Sequence, residues 1–306
     1  MAQLDALAVG TMNFGRRTPE KEARMIIDLA IERGATFFDT ANMYCDGDSE
    51  RILGRAVANR RSAVKIATKV GAWRKEGLSK QRILAAIDES LERLKTDYVD
   101  VYYFHSPDHS TPFTESLEAI SDLFSKGKIR AWGISNYAAW QLIEINALCD
   151  ARNLPRPAYS QVLYNLLIRQ IEIEYLPCVR QHPIHTTVFN PLAGGLLARP
   201  VTPLVPAGSR FEANPLYRKR YWSSGMHELT RKMQQVADAV GVTLVTLAYA
   251  WLLKRPGVGS VLTGPASLAH FEAALDAIHV TLPEEAVVAA DAAYCQFTGS
   301  EVSYAR

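Results

Sequence analysis

Four polar residues stand at or just past the ends of apolar runs: Asp39 and Tyr44 in Phe37-Phe38-Asp39-Thr40-Ala41-Asn42-Met43-Tyr44, Lys69 in Ile66-Ala67-Thr68-Lys69, and His105 in Val101-Tyr102-Tyr103-Phe104-His105. A phenol titrates near ~10, so it is a poor acid at neutral pH unless its anion is stabilised, and a neighbouring ammonium does that. An ammonium in a partly desolvated pocket needs a carboxylate to stay charged, and Asp39 is available for it. A histidine can donate the hydrogen bond that orients a carbonyl. Taken singly, each residue has an ordinary reading as rim packing or a surface ion pair. As a set, they suit proton transfer to a carbonyl oxygen.

A second set lies further along the chain. No GxGxxG follows a first strand, so a Rossmann dinucleotide site has no support. Trp132-Gly133-Ile134-Ser135-Asn136 and Gln161 supply hydroxyl and amide groups at later strand ends, and amides can pair with a carboxamide as both donor and acceptor. Phe189, in Phe189-Asn190-Pro191-Leu192, offers a flat face for a nicotinamide ring. The alternative reading makes Asn136 a helix cap and Phe189 a core residue. Thr263-Gly264-Pro265-Ala266-Ser267 opens a helix whose free N–H groups favour an anion such as a nucleotide phosphate, with Arg199 and Arg210 as sources of positive charge.

The elements that must position these residues alternate along the chain. Strand-like runs fall at Ala6–Val9, Thr36–Phe38, Val64–Thr68, Tyr98–Phe104, Ile129–Gly133, Tyr159–Val162, His185–Phe189 and Gly259–Thr263. Eight strands separated by helices imply right-handed parallel units that close into a barrel, whose C-terminal mouth is where such folds keep their chemistry. Thr18 is expected to cap the first helix, with Pro19 in its first turn and Gly34 at its end. Ile83, Leu84, Ile87, Leu91 and Leu94 recur as one buried face. Two helical patterns, near His227–Val240 and Thr243–Leu253, precede the eighth strand, and a last helix is expected over Pro283–Ala293. The stretch from Leu192 to Gly225 shows no clear periodicity, and a loop of that length is usually functional or mobile. The reading is a single α/β domain over residues 1–306, a (β/α)8 TIM barrel with extra helices before strand 8 and at the C-terminus.

Composition narrows the setting. The 306 residues are 48% hydrophobic with a net charge of +2, which suits a large core and offers no sign of a nucleic-acid or membrane-surface partner. Cys45, Cys149, Cys178 and Cys295 form no CxxC pair, which favours reduced thiols in the cytoplasm over a disulfide framework or a metal site. No signal peptide and no apolar run long enough to span a bilayer is read.

Several blocks in order resemble the aldo-keto reductase superfamily: Gly10-Thr11-Met12-Asn13-Phe14-Gly15, Asp39-Thr40-Ala41 with Tyr44 and Ser49-Glu50, Thr68-Lys69, Leu91 to Tyr98, His105, Gly127 to Asn136, Gln161 to Asn165, and Pro191 to Leu196. The Ser260–Val280 stretch is most similar to the branch holding the potassium-channel β subunits and their bacterial relatives. The resemblance covers nearly the whole chain. It implies NADPH or NADP+, in preference to NAD(H), bound in extended form at the barrel mouth. Carried over, Tyr44 is the general acid, Lys69 and Asp39 tune it, and His105 orients the carbonyl. Ser135, Asn136 and Gln161 take the carboxamide, and Phe189 stacks on the ring. Asn190, Leu192 and Gly194 follow the pyrophosphate, and Gly10, Thr11, Met12 and Asp39 border the cofactor. Gly264, Ser267 and His270 lie at the adenosine end, with Arg210 as the phosphate-binding arginine and Arg199 beside it.

There are departures from the family pattern. The hairpin that usually plugs the barrel bottom looks truncated before the first strand. His270 stands where relatives carry Gln or Arg, Ala273 and Ala274 replace a Glu-Asn pair, and Cys45 follows the tyrosine where Gly is common. The expected activity is reversible reduction of an aldehyde or ketone to an alcohol. A nucleotide-sensing regulatory subunit of the channel type is the alternative. An aldolase using Lys69 as a Schiff base needs a neutral amine, which Asp39 opposes. Substrate specificity is expected from Trp73, Ser106–Phe113, Pro215–Trp222 and the tail 297–306, with Tyr217, Tyr221 and Trp222 as further aromatic walls.

Overall fold

In the computed structural model, which describes residues 6–202, 204–212 and 214–299, the eight strands close into one barrel in sequence order. The first half runs β1 (Leu7–Gly10), α1 (Glu20–Glu32), β2 (Phe37–Asp39), α2 (Asp48–Val57), β3 (Lys65–Val70), α3 (Lys80–Leu94), β4 (Val99–Phe104) and α4 (Phe113–Ser125). The second runs β5 (Ile129–Ser135), α5 (Ala139–Asp150), β6 (Tyr159–Leu163), α6 (Tyr175–Gln181), β7 (His185–Phe189), then α7 (Pro215–Tyr221), α8 (Ser224–Ala239) and α9 (Leu244–Leu253), and ends with β8 (Ser260–Thr263), α10 (Leu268–Ala277) and α11 (Glu284–Thr298). Every neighbouring pair is parallel, and β8 closes the barrel by pairing Leu7 with Val261 and Val9 with Thr263. The expected eight-stranded barrel, with extra helices before β8 and after it, is what forms.

Strand parity explains the layout. Successive side chains point to opposite faces. Phe38, Ile66, Tyr102, Trp132, Val162, Val188 and Val261 face the helices and join the large apolar shell around the barrel. Ala67, Val101 and Tyr103 form a separate interior cluster with Phe37, Ala131 and Tyr159 against it. Asp39, Lys69, His105, Ser135, Gln161 and Phe189 share the inward parity and stand nearer the C-terminal mouth. Space inside is tight: a Cβ on Gly133 would lie 2.6 Å from the Tyr159 carbonyl and 2.7 Å from the Tyr103 ring.

Three local expectations are corrected. Thr18 does not cap α1. Pro19 holds that position without a side-chain bond, and the Thr18 hydroxyl instead donates to the Ala266 carbonyl at 3.2 Å. The Leu192–Gly225 stretch is not uniformly irregular: 3-10 turns cover Ala193–Ala198 and α7 spans Pro215–Tyr221, started by the Asn214 side chain accepting from Tyr217 N–H. The last helix runs past Ala293 to Thr298, where Gly299 adopts φ 74°. The barrel-bottom plug and most of the tail counted among the specificity loops fall on residues 1–5 and 300–306, outside the described residues.

Candidate active site

Register brings Asp39 and Lys69 together. Asp39 pairs with Ala67 across β2 and β3, and Lys69 is the next inward residue toward the mouth. The Lys69 ammonium, fully buried, donates to the Asp39 carboxylate and to the Thr40 carbonyl, the latter at 2.7 Å. The other Asp39 oxygen accepts from the Gln161 amide at 2.8 Å. Thr11 closes the shell from β1: its backbone N–H and its hydroxyl both donate to the Asp39 carbonyl, at 2.9 and 3.1 Å. Its hydroxyl also meets Ser49 Oγ at 2.7 Å. Buried this way, the Thr11 side chain braces Asp39.

Tyr44 enters from the loop after β2. The ammonium of Lys69 lies 5.1 Å from its ring centroid, and the His105 ring meets it edge-on at 5.8 Å. Directly after Tyr44 the chain turns through Cys45 and Asp46, at φ 51° and 52°, and Gly47 at φ 87°. Left-handed conformation costs a non-glycine residue roughly 1–2 kcal/mol, so the turn that sets Tyr44 against Lys69 is strained.

Charge and burial set the protonation states. Burial opposes the Lys69 ammonium, but the charge of Asp39 and the nearness of Tyr44 outweigh it and the pKa is raised. For Tyr44, burial raises the pKa, Lys69 lowers it and Asp39 raises it, with the sum upward. Lys69 therefore acts on the phenol in the expected direction, but desolvation wins, and Tyr44 holds its proton. Burial, then the Lys69 charge, pulls His105 down to about 3, so its imidazole is neutral at physiological pH. Its Nδ1 has no partner among the described residues.

The other sequence-selected residues ring this centre. Ser135 pairs in register with Gln161. Asn136, at φ 65°, is not a helix cap, since Ala138 holds that place for α5. Its amide donates to the His105 backbone carbonyl at 2.9 Å and to Ser135 Oγ at 3.1 Å. Phe189 is half-buried, with part of its ring accessible. Asn190, at φ 64°, accepts from Gly194 N–H at 2.7 Å and donates to Tyr221 OH at 2.6 Å. Leu192 opens the 3-10 turn that contains Gly194, which is held at φ 72° with Tyr217 where a Cβ would be, at 2.7 Å. Gly10, the last residue of β1, is buried against β8, a Cβ there meeting the Thr263 carbonyl at 2.6 Å, while Met12 is 38% exposed. At the far end Ser267 caps α10 by accepting from the His270 N–H, His270 is exposed, and nothing crowds Gly264.

Arg210 donates to Asn13 Oδ1 at 3.1 Å and to Tyr217 OH at 3.3 Å. Arg199 reaches to 3.7 Å from the position of a Cβ on Gly195. Arg17, not selected from sequence, donates to the Gly208 carbonyl at 3.0 Å. Its pKa is lowered by burial and then by the charges of Arg210, Arg199 and Arg16. Among the described residues none of these four arginines has a carboxylate within salt-bridge distance. Four clustered guanidiniums suit the phosphates of a dinucleotide, while the α10 N-terminus itself already meets a carboxylate, its Leu268 N–H donating to Glu22 Oε1 at 3.0 Å. Arg16-Arg17 was visible in the sequence as a basic pair just past β1, on the mouth side. Asn13 was also missed: its amide donates to the Gly264 and Pro265 carbonyls, joining three loops.

One expected substrate wall is corrected. Tyr221 is fully buried, its hydroxyl taken by Asn165 and Asn190. Trp222 packs on Phe211 and His227 at 4.8 and 4.7 Å between ring centroids. Trp73, Tyr217 and Trp222 remain partly accessible.

The sequence profile of the Aldo/keto reductase family matches residues 6–294. The chain belongs to that family. This aldo/keto reductase is 35% identical over 304 residues to "Aflatoxin B1 aldehyde reductase member 2" of Mus musculus, covering 93% of this chain and 83% of the mouse protein. It is 36% identical over 282 residues to "Probable voltage-gated potassium channel subunit beta" of Arabidopsis thaliana, covering 88% and 85%. It is 34% identical over 303 residues to human "Aldo-keto reductase family 7 member A3", covering 92% and 91%. Family membership makes the barrel an oxidoreductase scaffold. No single helix of this aldo/keto reductase, among the described residues, is long and apolar enough to cross a membrane.

Proposed function

We propose that this protein is a cytoplasmic NADPH-dependent reductase that converts a small aldehyde or ketone to its alcohol, reversibly, with Tyr44 as the proton donor. The observation that carries the reading is the buried Lys69–Asp39 pair set against Tyr44, with the His105 ring edge-on to the phenol. Bound NADPH supplies the hydride. Tyr44, protonated, gives its proton to the carbonyl oxygen, and the Lys69 ammonium offsets the negative charge left on the phenol. Neutral His105 donates an N–H to the same oxygen and fixes the approach of the carbonyl. Ser135, Asn136 and Gln161 hold the carboxamide over Phe189, and Asn190, Leu192 and Gly194 follow the pyrophosphate. Arg17, Arg199 and Arg210 offset phosphate charge, and Gly264, Ser267 and His270 border the adenosine. The test is titration with NADPH and NADH followed by a panel of carbonyls; a chain that binds NADPH but turns over none of them sinks the enzyme reading.

A second reading draws on the plant relative whose name is that of a channel β subunit. In it the barrel binds NADPH and docks to a partner as a nucleotide sensor. A single turnover with slow cofactor release supports the sensor, and sustained turnover supports the enzyme.

A further inference from the structure

Gln161 and Asn136, both assigned to the nicotinamide carboxamide, each also hold a member of the catalytic set. Asn136 donates to the His105 carbonyl at 2.9 Å, and its own backbone N–H donates to the Gln161 carbonyl at 3.0 Å. The Gln161 link is the deeper one. Its amide donates to Asp39 Oδ2 at 2.8 Å, and both residues are all but excluded from solvent, at 3% and 1% exposure. An ionised carboxylate only accepts, so the NH2 of Gln161 must face Asp39, which leaves the Gln161 carbonyl oxygen for another donor.

We propose that Gln161 is a positioning residue that couples the nicotinamide site to the proton donor through the chain Gln161, Asp39, Lys69 and Tyr44. The inference rests on the reductase reading of the site. Asp39 has two carboxylate oxygens and two side-chain partners, Lys69 on one and Gln161 on the other. While Gln161 holds Oδ2, the carboxylate cannot turn both oxygens onto Lys69, and the ammonium keeps its place beneath the Tyr44 ring. Without Gln161 the carboxylate is free to rotate and draw Lys69 toward β2, away from the phenol. The charged and titratable groups facing this chain are Tyr103, whose ring centroid lies 5.8 Å from the Lys69 ammonium, His105 against Tyr44, and Tyr217, which acts on Tyr44 from α7. None of the three bonds to the Asp39 carboxylate, so the setting of that carboxylate is left to Gln161.

The experiment reads the link without cofactor or substrate. In cofactor-free protein labelled with [15N]lysine and [13Cζ]tyrosine, the Lys69 ammonium and Tyr44 signals are assigned by their loss in Lys69→Met and Tyr44→Phe. Gln161→Met keeps the side-chain length and removes the donor; Gln161→Leu serves if it does not fold. Both signals are expected to move in the Gln161 variant while those of the exposed lysines stay in place. With NADPH saturating, kcat is expected to fall about tenfold, and the solvent deuterium isotope effect to rise as proton delivery becomes limiting. Unmoved Lys69 and Tyr44 signals alongside a weakened NADPH Kd would reduce Gln161 to a cofactor contact and overturn the proposal. Because the spectra need no turnover, this outcome is independent of whether the wild type reduces any carbonyl.

Discussion

Lys69 sits beneath the Tyr44 ring, 5.1 Å from its centroid, while its own hydrogen bonds go to Asp39 and to the Thr40 carbonyl. The ammonium is thus anchored at the end of β2 and acts on the phenol by its charge and by a side-chain hydrogen-bonding contact. The geometry separates two jobs: Asp39 keeps a charge in place, and Tyr44 holds the proton.

Tyr44→Phe removes the hydroxyl and keeps the ring that packs against His105. Positioned acid catalysis contributes about 10²–10⁴-fold. The variant is expected to lose kcat in that range with NADPH Kd changed less than about twofold, since no phosphate or carboxamide partner is altered. Steady-state rates on the best carbonyl, with a fluorescence titration of NADPH, check both halves.

Lys69→Met leaves Asp39 buried with Gln161 as its one remaining charge-stabilising side chain. Breaking a buried pair by removing one partner typically costs about 3–5 kcal/mol. Urea unfolding should show a loss of that order. Asp39→Asn should lose as much or more, because the buried Lys69 ammonium is left without a compensating negative charge.

The pH dependence follows from two directions. The pKa of His105 is lowered from 6.5 to about 3 by burial and by Lys69. Its neutral form therefore persists across the working range, and reduction should show no inflection near 6.5. Tyr44 is shifted upward, so the donor stays protonated to above its ordinary value and the rate falls only on the strongly alkaline side. For stability the sign is the depressed-pKa one. The His105 contribution is complete above pH 6.5 and is lost as pH falls toward 3, where the unfolded chain binds the proton first. His105→Asn should flatten that part of the acid unfolding curve.

Arg17→Ala and Arg210→Ala each remove one of the guanidiniums that lack a carboxylate partner among the described residues. Each should raise the NADPH Kd about tenfold or more, equivalent to about 1.4 kcal/mol, with a smaller effect on NADH. Added salt should narrow the difference between wild type and variants. Equal losses for both cofactors would place these side chains at the pyrophosphate instead of at the extra phosphate of NADPH.

Much of this was legible along the chain. The eight strands and their order come from apolar runs alternating with amphipathic stretches, and Asp39, Lys69, His105, Ser135, Gln161 and Phe189 stood out as the residues at the ends of those runs. Thr18 was misread because a Thr-Pro pair before a helix looks like a cap, whereas the hydroxyl finds a better partner across the barrel mouth at Ala266. Tyr221 looked like a substrate wall because a seven-residue helix has too little periodicity to reveal its buried side. Arg17 was passed over because its importance depends on Arg199 and Arg210, far away in sequence.

Local pattern alone determined the barrel and the strand ends that carry the candidate proton-handling residues. Only the tertiary structure decided how those residues share partners. The closed barrel brings Gln161 across to Asp39 over a separation of 122 residues, and it strips enough water from the half-buried Tyr44 that desolvation outweighs the nearby ammonium. Periodicity reports which way a side chain points. Hydrogen-bond partners and the strength of a charge depend on distances across the fold and on how much water has been removed, and these arise only when the barrel closes.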